Sequence, residues 1–302
     1  MKNLLWMVLI FLVVGCSSDS SKKASQPLIM TTTGMIADLV QNIAGPDYVV
    51  KGLMGPGVDP HLFKASQGDI QNLASADIIF YNGLHLEGKM TEILEKMSAS
   101  KQVVAVSSEI NPARLIPLQG ASSAYDPHIW FNVELWRQTI PVIQEALAES
   151  FPKDHASFEK NAAKMDSLYA DLHQWVIEQV ASVPETQRKL ITAHDAFGYF
   201  GKAYDIEVYG LQGISTVAEY GVNDINRMVD LILDTRIRAV FVETSVPQRS
   251  IEAVVAGVRA RGGTVNIGGT LYSDALGGPD SGADTYIDMV RHNVQTIVKA
   301  LK

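Results

Sequence analysis

From residue 27 onward, the chain alternates two hydrophobic patterns. Short apolar runs with little polar alternation occur at PLIMTTT (27–33), DYVVKGLM (47–54), ADIIFYNG (76–83) and QVVAVS (102–107). Runs of this kind predict strands buried on both faces, as in parallel sheets. Between them, GMIADLVQNIAG carries apolar residues at helical spacing and stops at Gly45, a natural C-cap. SQGD then opens a further helix, with Ser66 as N-cap and Asp69 in the capping-box place. The second half repeats the scheme: RKLITAH (188–194), IEVYGL (206–211), RAVFVET (238–244) and GTVNIGG (263–269) are strand candidates, and NDINRMVDLILDT and PQRSIEAVVAGVRARGG are helices between them. The expected fold is α/β, with two β/α lobes built on parallel-type sheets.

One segment differs. In 152–184, Phe158, Ala162, Met165, Tyr169, Leu172, Val176 and Val180 step by three or four, and the intervening positions are largely polar. Pro152 and Pro184 bracket the run, with no Gly or Pro between them. This predicts a single helix of roughly 30 residues, about 45 Å long. It divides the chain into an N-terminal lobe (27–151), a linking helix (152–184) and a C-terminal lobe (185–302). Lobes joined by one continuous helix hinge less freely than lobes joined by extended strands, so a stiff molecule is expected.

Ahead of the first lobe, MKNLLWMVLIFLVVGC has one Lys and an apolar run from Leu4 to Val14. That run is too short for a comfortable membrane span and fits a secretory signal over 1–15. VVGC resembles the bacterial lipobox, which makes Cys16 the expected lipidation site and 16–26 a flexible tether. Cys16 is the only cysteine in the chain, so a disulfide framework and a thiolate metal site are both excluded. The formal charge of −8 argues against nucleic acid, which requires clustered Lys and Arg.

The candidate chemistry lies in the histidines. Of seven, only His61 and His128 follow a proline, and both prolines follow an aspartate, in GVDPHLFKAS and YDPHIWFN. Proline fixes its own φ and restrains its predecessor, so each imidazole leaves a stiff platform with a carboxylate nearby. Asp59 and Asp126 are expected to orient the two rings. His61, His194 and Asp274 each follow a predicted strand, and His128 precedes a helix beyond another. The carboxyl ends of parallel strands form one binding rim, so all four are expected to face one cleft, two from each lobe. Taken alone, His194 reads equally as the neighbour of an N-capping Asp195, and Asp274 reads as a cap or turn before a Gly-rich loop. Glu243 ends a strand on the same rim and is expected to support a ligand or bridge the lobes. His155, His173 and His292 lie on helical patterns and are expected to be solvated; His85 is left outside the site.

Taken together, GVDPHLFKAS, YNGLHLE, DPHIWFN, HDAFGYFGKAYDIEVYGLQGIST, FVETSVPQRS and LYSDALG occur in one order over nearly the whole chain. In this the chain resembles the metal-binding substrate-binding lipoproteins of ABC importers, the TroA-like and ZnuA-like group, and most of all its TroA-like branch. The resemblance implies a C-clamp fold and one metal ion between the lobes, held by His61, His128, His194 and Asp274. It also implies a permease with its ATPase as partners, and membrane attachment through Cys16, in the periplasm or on the cell surface. Manganese carriers of the group usually have Glu where this chain has His194, and zinc-specific members often carry a His-rich loop where this chain has LIPLQGASSAYDPH. Three imidazoles and one carboxylate place zinc first and manganese second. Affinity is expected to fall as pH drops below about 6.5, because the imidazoles must be neutral to bind. Three other functions fit the sequence less well. A secreted zinc hydrolase needs an open coordination position, and the chain has no HExxH. A surface adhesin would use the metal only to stiffen its fold, and an organic-solute binder would need stacked aromatics that the sequence does not establish.

Overall fold

A computed structural model describes residues 26–118, 124–218 and 220–302. The first lobe holds β1 (Leu28–Thr31), α1 (Gly34–Ala44), β2 (Val49–Gly52), α2 (Gln67–Ser75), β3 (Ile78–Tyr81), α3 (Thr91–Ser98), β4 (Gln102–Ala105), α4 (Val133–Trp136) and α5 (Thr139–Ser150). Its four strands pair in parallel in the order β2-β1-β3-β4. Gly45 closes α1 at φ 84°, a left-handed conformation that glycine adopts without steric cost. Ser66 and Asp69 form the full capping box at the start of α2.

The long helix, α6, spans His155–Ala181 and is bracketed by 3₁₀ turns at Pro152–Asp154 and Glu185–Gln187. At 27 residues it is about 40 Å long, somewhat shorter than expected because each proline opens or precedes a tighter turn. All seven residues of its apolar stripe are buried. They enter one continuous core that takes in Ile36, Leu39 and Trp136 of the first lobe and Phe197, Tyr286 and Val294 of the second. Each lobe also has one satellite cluster of its own, around Ile79 and Leu73 in the first and Val240 and Val254 in the second. The stiffness expected of the linker thus has a packing basis: both lobes share one hydrophobic core with the helix.

The second lobe follows with β5 (Lys189–His194), α7 (Gly198–Tyr204), β6 (Glu207–Gln212), α8 (Val222–Thr235), β7 (Ala239–Glu243), α9 (Arg249–Ala260), β8 (Asn266–Leu271) and α10 (Tyr286–Leu301). Its strands form two parallel pairs, β5-β6 and β7-β8, with β5 lying beside β7. β8 begins three residues later than GTVNIGG suggested and runs on to Leu271, because Gly262 and Gly263 belong to the turn after α9. Gly210 in β6 has a functional position: a Cβ there would lie 2.5 Å from the backbone of Asp195, the residue after His194. Among the described residues, no helix is long and apolar enough to cross a membrane. Cys16, the signal segment and the tether up to residue 25 lie outside them.

Candidate metal centre

The two Asp-Pro-His steps fold into the same small turn. In each, the aspartate Oδ1 accepts the backbone N–H of the histidine two residues on, at 2.8 Å for Asp59–His61 and 2.9 Å for Asp126–His128. The proline between them has no N–H to offer and a fixed φ, so the turn is stiff. The aspartates differ in what they do next. Asp126 Oδ1 also takes the ring Nδ1 of His128, at 2.7 Å, which leaves Nε2 to face the cleft. Asp59 does not reach its imidazole; its second oxygen accepts the hydroxyl of Thr216 at 2.6 Å, across the cleft in the other lobe. Asp126 thus contacts its imidazole and Asp59 does not; the Asp59 carboxylate is engaged by a chain segment that the local sequence does not reveal.

His194 is the last residue of β5, and Glu243 is the last of the neighbouring β7. Glu243 Oε1 accepts the His194 backbone N–H at 2.9 Å, and Oε2 lies 2.5 Å from Nδ1, off the line of a full hydrogen bond. Asp195 is not the N-cap of α7; Phe197 holds that position without a side-chain cap. Asp274 follows β8 by three residues, and among the described residues neither of its oxygens accepts a hydrogen bond, so it serves as no cap there.

The structure brings His61, His128, His194 and Asp274 together. One donor atom from each lies within 4.8 Å of the others, and all four residues are buried. His61 Nε2 is 3.3 Å from His128 Nε2, His128 Nε2 is 3.5 Å from Asp274 Oδ1, and His194 Nε2 is 3.3 Å from Asp274 Oδ2. A tetrahedron of donors at bond lengths of about 2.0–2.1 Å has edges of about 3.3–3.4 Å. The three closest separations are near those edges, and the full set, within 4.8 Å, is compact enough to close on one small ion. Among the described residues, His194 Nε2 and both Asp274 oxygens are buried without hydrogen-bond partners. Buried polar atoms without partners are costly, and three of them facing one point call for a cation.

Charge is distributed accordingly. Burial pushes the His61 imidazole down to about 3, against the pull of Asp274. Burial also opposes charge on His128, but the carboxylates of Asp126 and Asp274 outweigh it and hold the ring up at about 9. In His194, Glu243 and Asp274 overcome burial in the same way and keep the ring well above its ordinary value. Burial works to raise Asp274, yet the two imidazoles hold it well below the usual carboxylate range. A divalent ion would take the place of the proton on His128 and satisfy the same carboxylates.

Other residues complete the setting. Trp130 packs its ring edge-on against His128, with centroids 5.2 Å apart, and its indole N–H donates to the Ser273 carbonyl at 2.9 Å. Tyr199 of α7 donates its hydroxyl to the Asp126 carbonyl at 2.9 Å, and Asn82 donates its amide to the Pro127 carbonyl at 3.0 Å. Trp130 and Asn82 stood in DPHIWFN and YNGLHLE, but without the fold nothing gave them partners. His85 is exposed on a turn with φ 63° and stays outside the cluster. His155 is solvated. His173 and His292 are half-buried and less solvated than expected: one meets the Tyr204 hydroxyl at 3.0 Å, the other the Thr270 carbonyl at 3.1 Å.

The profile of a family described as "Zinc-uptake complex component A periplasmic" matches residues 29–300. The "Manganese-binding lipoprotein MntA" of Bacillus subtilis is 48% identical over 97% of this chain and 96% of its own length. The "Zinc-binding protein TroA" of Treponema pallidum is 45% identical over 94% of this chain and 92% of its own. The solved structure of the Treponema pallidum protein superposes with a TM-score of 0.89, at 45% identity, covering 91% of this chain and 99% of that one. A structure titled as Fe(III)-bound YtgA from Chlamydia trachomatis superposes at 0.82 with 26% identity, covering 91% and 98%.

Proposed function

The chain belongs to the family of periplasmic zinc-uptake complex component A proteins, and on that premise we propose that it captures a divalent transition-metal ion outside the cytoplasm and delivers it to an ABC permease. The metal is cargo. The hydrated ion exchanges its waters for His61, His128, His194 and Asp274, and the permease receives it when the site is opened. One observation carries this reading: four buried donors from separate parts of the chain converge within 4.8 Å of one another, and three of their atoms have no hydrogen-bond partner among the described residues.

Zinc is the first cargo by donor chemistry. Three imidazole nitrogens and a carboxylate suit it, and the divalent series ranks zinc well above manganese. Manganese is the second reading, and Asp274 favours it. One of its oxygens faces His128 and the other faces His194, so both could bind and raise the coordination number to five. The manganese-binding name of the Bacillus relative points the same way.

Capture rather than catalysis follows from the donor count, since four protein donors fill a tetrahedral ion and leave no position for an activated water. Lipidation at Cys16 would keep the protein at the outer face of the membrane, and the lipoprotein names of several relatives support that attachment. The test is metal analysis of the protein purified without chelator, beside His61→Ala and Asp274→Ala. One zinc or manganese per wild-type chain, lost in both variants, is expected. Full metal content in both variants would sink the assignment.

A further inference from the structure

Cross-lobe hydrogen bonds around the cluster fall into two groups. Tyr199 to the Asp126 carbonyl and Trp130 to the Ser273 carbonyl secure the surroundings of His128 and Asp274. His61 sits on a different loop. Among the described residues, the bond from Thr216 Oγ1 to Asp59 Oδ2 is the one hydrogen bond that ties the 55–65 segment to the opposite lobe.

That bond is one link of a longer strap. Gln212, the last residue of β6, is the strand partner of His194, and its carbonyl accepts the Asp195 N–H at 3.0 Å. Its side-chain amide donates to the carbonyls of Thr216 at 2.7 Å and Ala218 at 2.6 Å, which folds the loop after β6 back on itself. Thr216, thus fixed, reaches across to Asp59, whose other oxygen holds the His61 N–H. A continuous chain, Gln212–Thr216–Asp59–His61, therefore runs from the strand beside His194 to the loop that presents His61. Both partners of the bridging bond line an open surface hollow of about 620 Å³, together with Leu62, Gln212, Tyr220 and Arg249, and none of the four clustered residues lines it.

We propose that Thr216 is a positioning residue for metal retention. Through Asp59 it holds the His61 arm against the second lobe, and breaking its bond opens the cleft from the side of this hollow. The inference rests on the metal-capture reading and adds a residue outside the donor set that governs how fast the ion leaves. His61 suits a mobile arm, because its ring has no carboxylate partner of the kind that Asp126 and Glu243 give the other two imidazoles. Thr216 itself lies on a short loop and outside the hydrophobic clusters, so loss of its hydroxyl removes no core packing.

The test is zinc release from the loaded protein into excess chromogenic chelator, followed by stopped flow, with the association rate measured separately. Thr216→Val keeps the shape and loses the donor; release about tenfold faster is expected, the worth of a hydrogen bond to a charged acceptor, with association unchanged. Thr216→Ser restores the wild-type rate. Asp59→Ala accelerates release by itself, and adding Thr216→Val to it changes nothing further. Wild-type release by Thr216→Val, or full additivity in the double variant, would overturn the proposal. A wild-type chain that takes up no zinc, or His61→Ala binding as wild type does, would instead overturn the capture reading beneath it.

Discussion

Trp130 donates its indole N–H to the carbonyl of Ser273 at 2.9 Å, joining the residue two positions after His128 to the residue immediately before Asp274. One bond thereby sets the distance between a donor of the first lobe and a donor of the second. Tyr286 reinforces it by donating its hydroxyl to the Trp130 carbonyl at 2.6 Å, from the first turn of α10.

Trp130→Phe keeps an aromatic ring against His128 and leaves the buried Ser273 carbonyl without its donor. The expected cost is about 1–3 kcal/mol of stability in urea unfolding. Because the lost bond spans the cleft, zinc affinity should fall as well, by roughly tenfold in chelator competition. A stability loss with unchanged affinity would mean that the bond holds the fold without setting the site.

Asp126 and Asp59 make a controlled pair, since the same tripeptide uses its carboxylate in two ways. Asp126→Asn weakens the orientation and basicity of the His128 ring, and a loss of about 10–100-fold in zinc affinity is expected. Asp59→Asn leaves every ring contact in place, so its equilibrium effect is expected to be the smaller of the two. Equal losses, read by the same titration, would remove the distinction.

The pH dependence follows from the buried charges. In the metal-free protein, burial is outweighed by Asp126 and Asp274 so that His128 holds its proton up to about 9 and must lose it to bind metal, and Glu243 and Asp274 shift His194 in the same direction. Zinc affinity should therefore keep rising from pH 6 toward pH 9, where an ordinary imidazole would level off near 6.5. His61, pushed down to about 3, adds nothing over that range. The sign for metal-free stability is opposite. A raised folded-state value gives stability that is complete below about 6.5 and is lost as pH climbs through about 9. Calorimetric titration in buffers of different ionisation enthalpy counts the protons released per zinc; at least about one is expected at pH 7, from His128, and none would refute the charge assignment.

Much of this architecture was legible along the chain, for identifiable reasons. Phe158 through Val180 announce α6 because an apolar stripe at 3.6-residue spacing has little other use in an uninterrupted polar helix. His61, His128, His194 and Asp274 could be expected to meet because parallel strands deliver their carboxyl ends to one rim. What stayed hidden depends on segments far apart in sequence: Trp130 and Ser273 are separated by 143 positions, Thr216 and Asp59 by 157. No local pattern encodes such an approach, and so two identical Asp-Pro-His steps looked equivalent although Asp126 holds a ring and Asp59 holds a lobe. The pH range depends on the fold in the same way: a value near 6.5 belongs to a solvated imidazole, and burial beside Asp126, Glu243 and Asp274 appears only in the folded chain.

The shared core makes a last prediction about cooperativity. Leu172 is 1% exposed, in the middle of α6, where the stripe meets helices of both lobes. Leu172→Ala removes buried methyl groups and leaves a cavity, at an expected cost of about 2–5 kcal/mol. If the lobes were independent units on a passive linker, such damage would lower one of two transitions. A core continuous through α6 instead demands that both lobes unfold together, so calorimetry of the metal-free protein should show one transition, shifted as a whole by the substitution. The same coupling bears on function. Lobes that share a core have little freedom to swing apart, so release of the ion is expected to proceed by movement of loops at the cleft mouth rather than by rotation of one lobe against the other. Two resolved transitions, only one of them moved by Leu172→Ala, would show that the helix does not unite the lobes and would return a hinged opening to consideration.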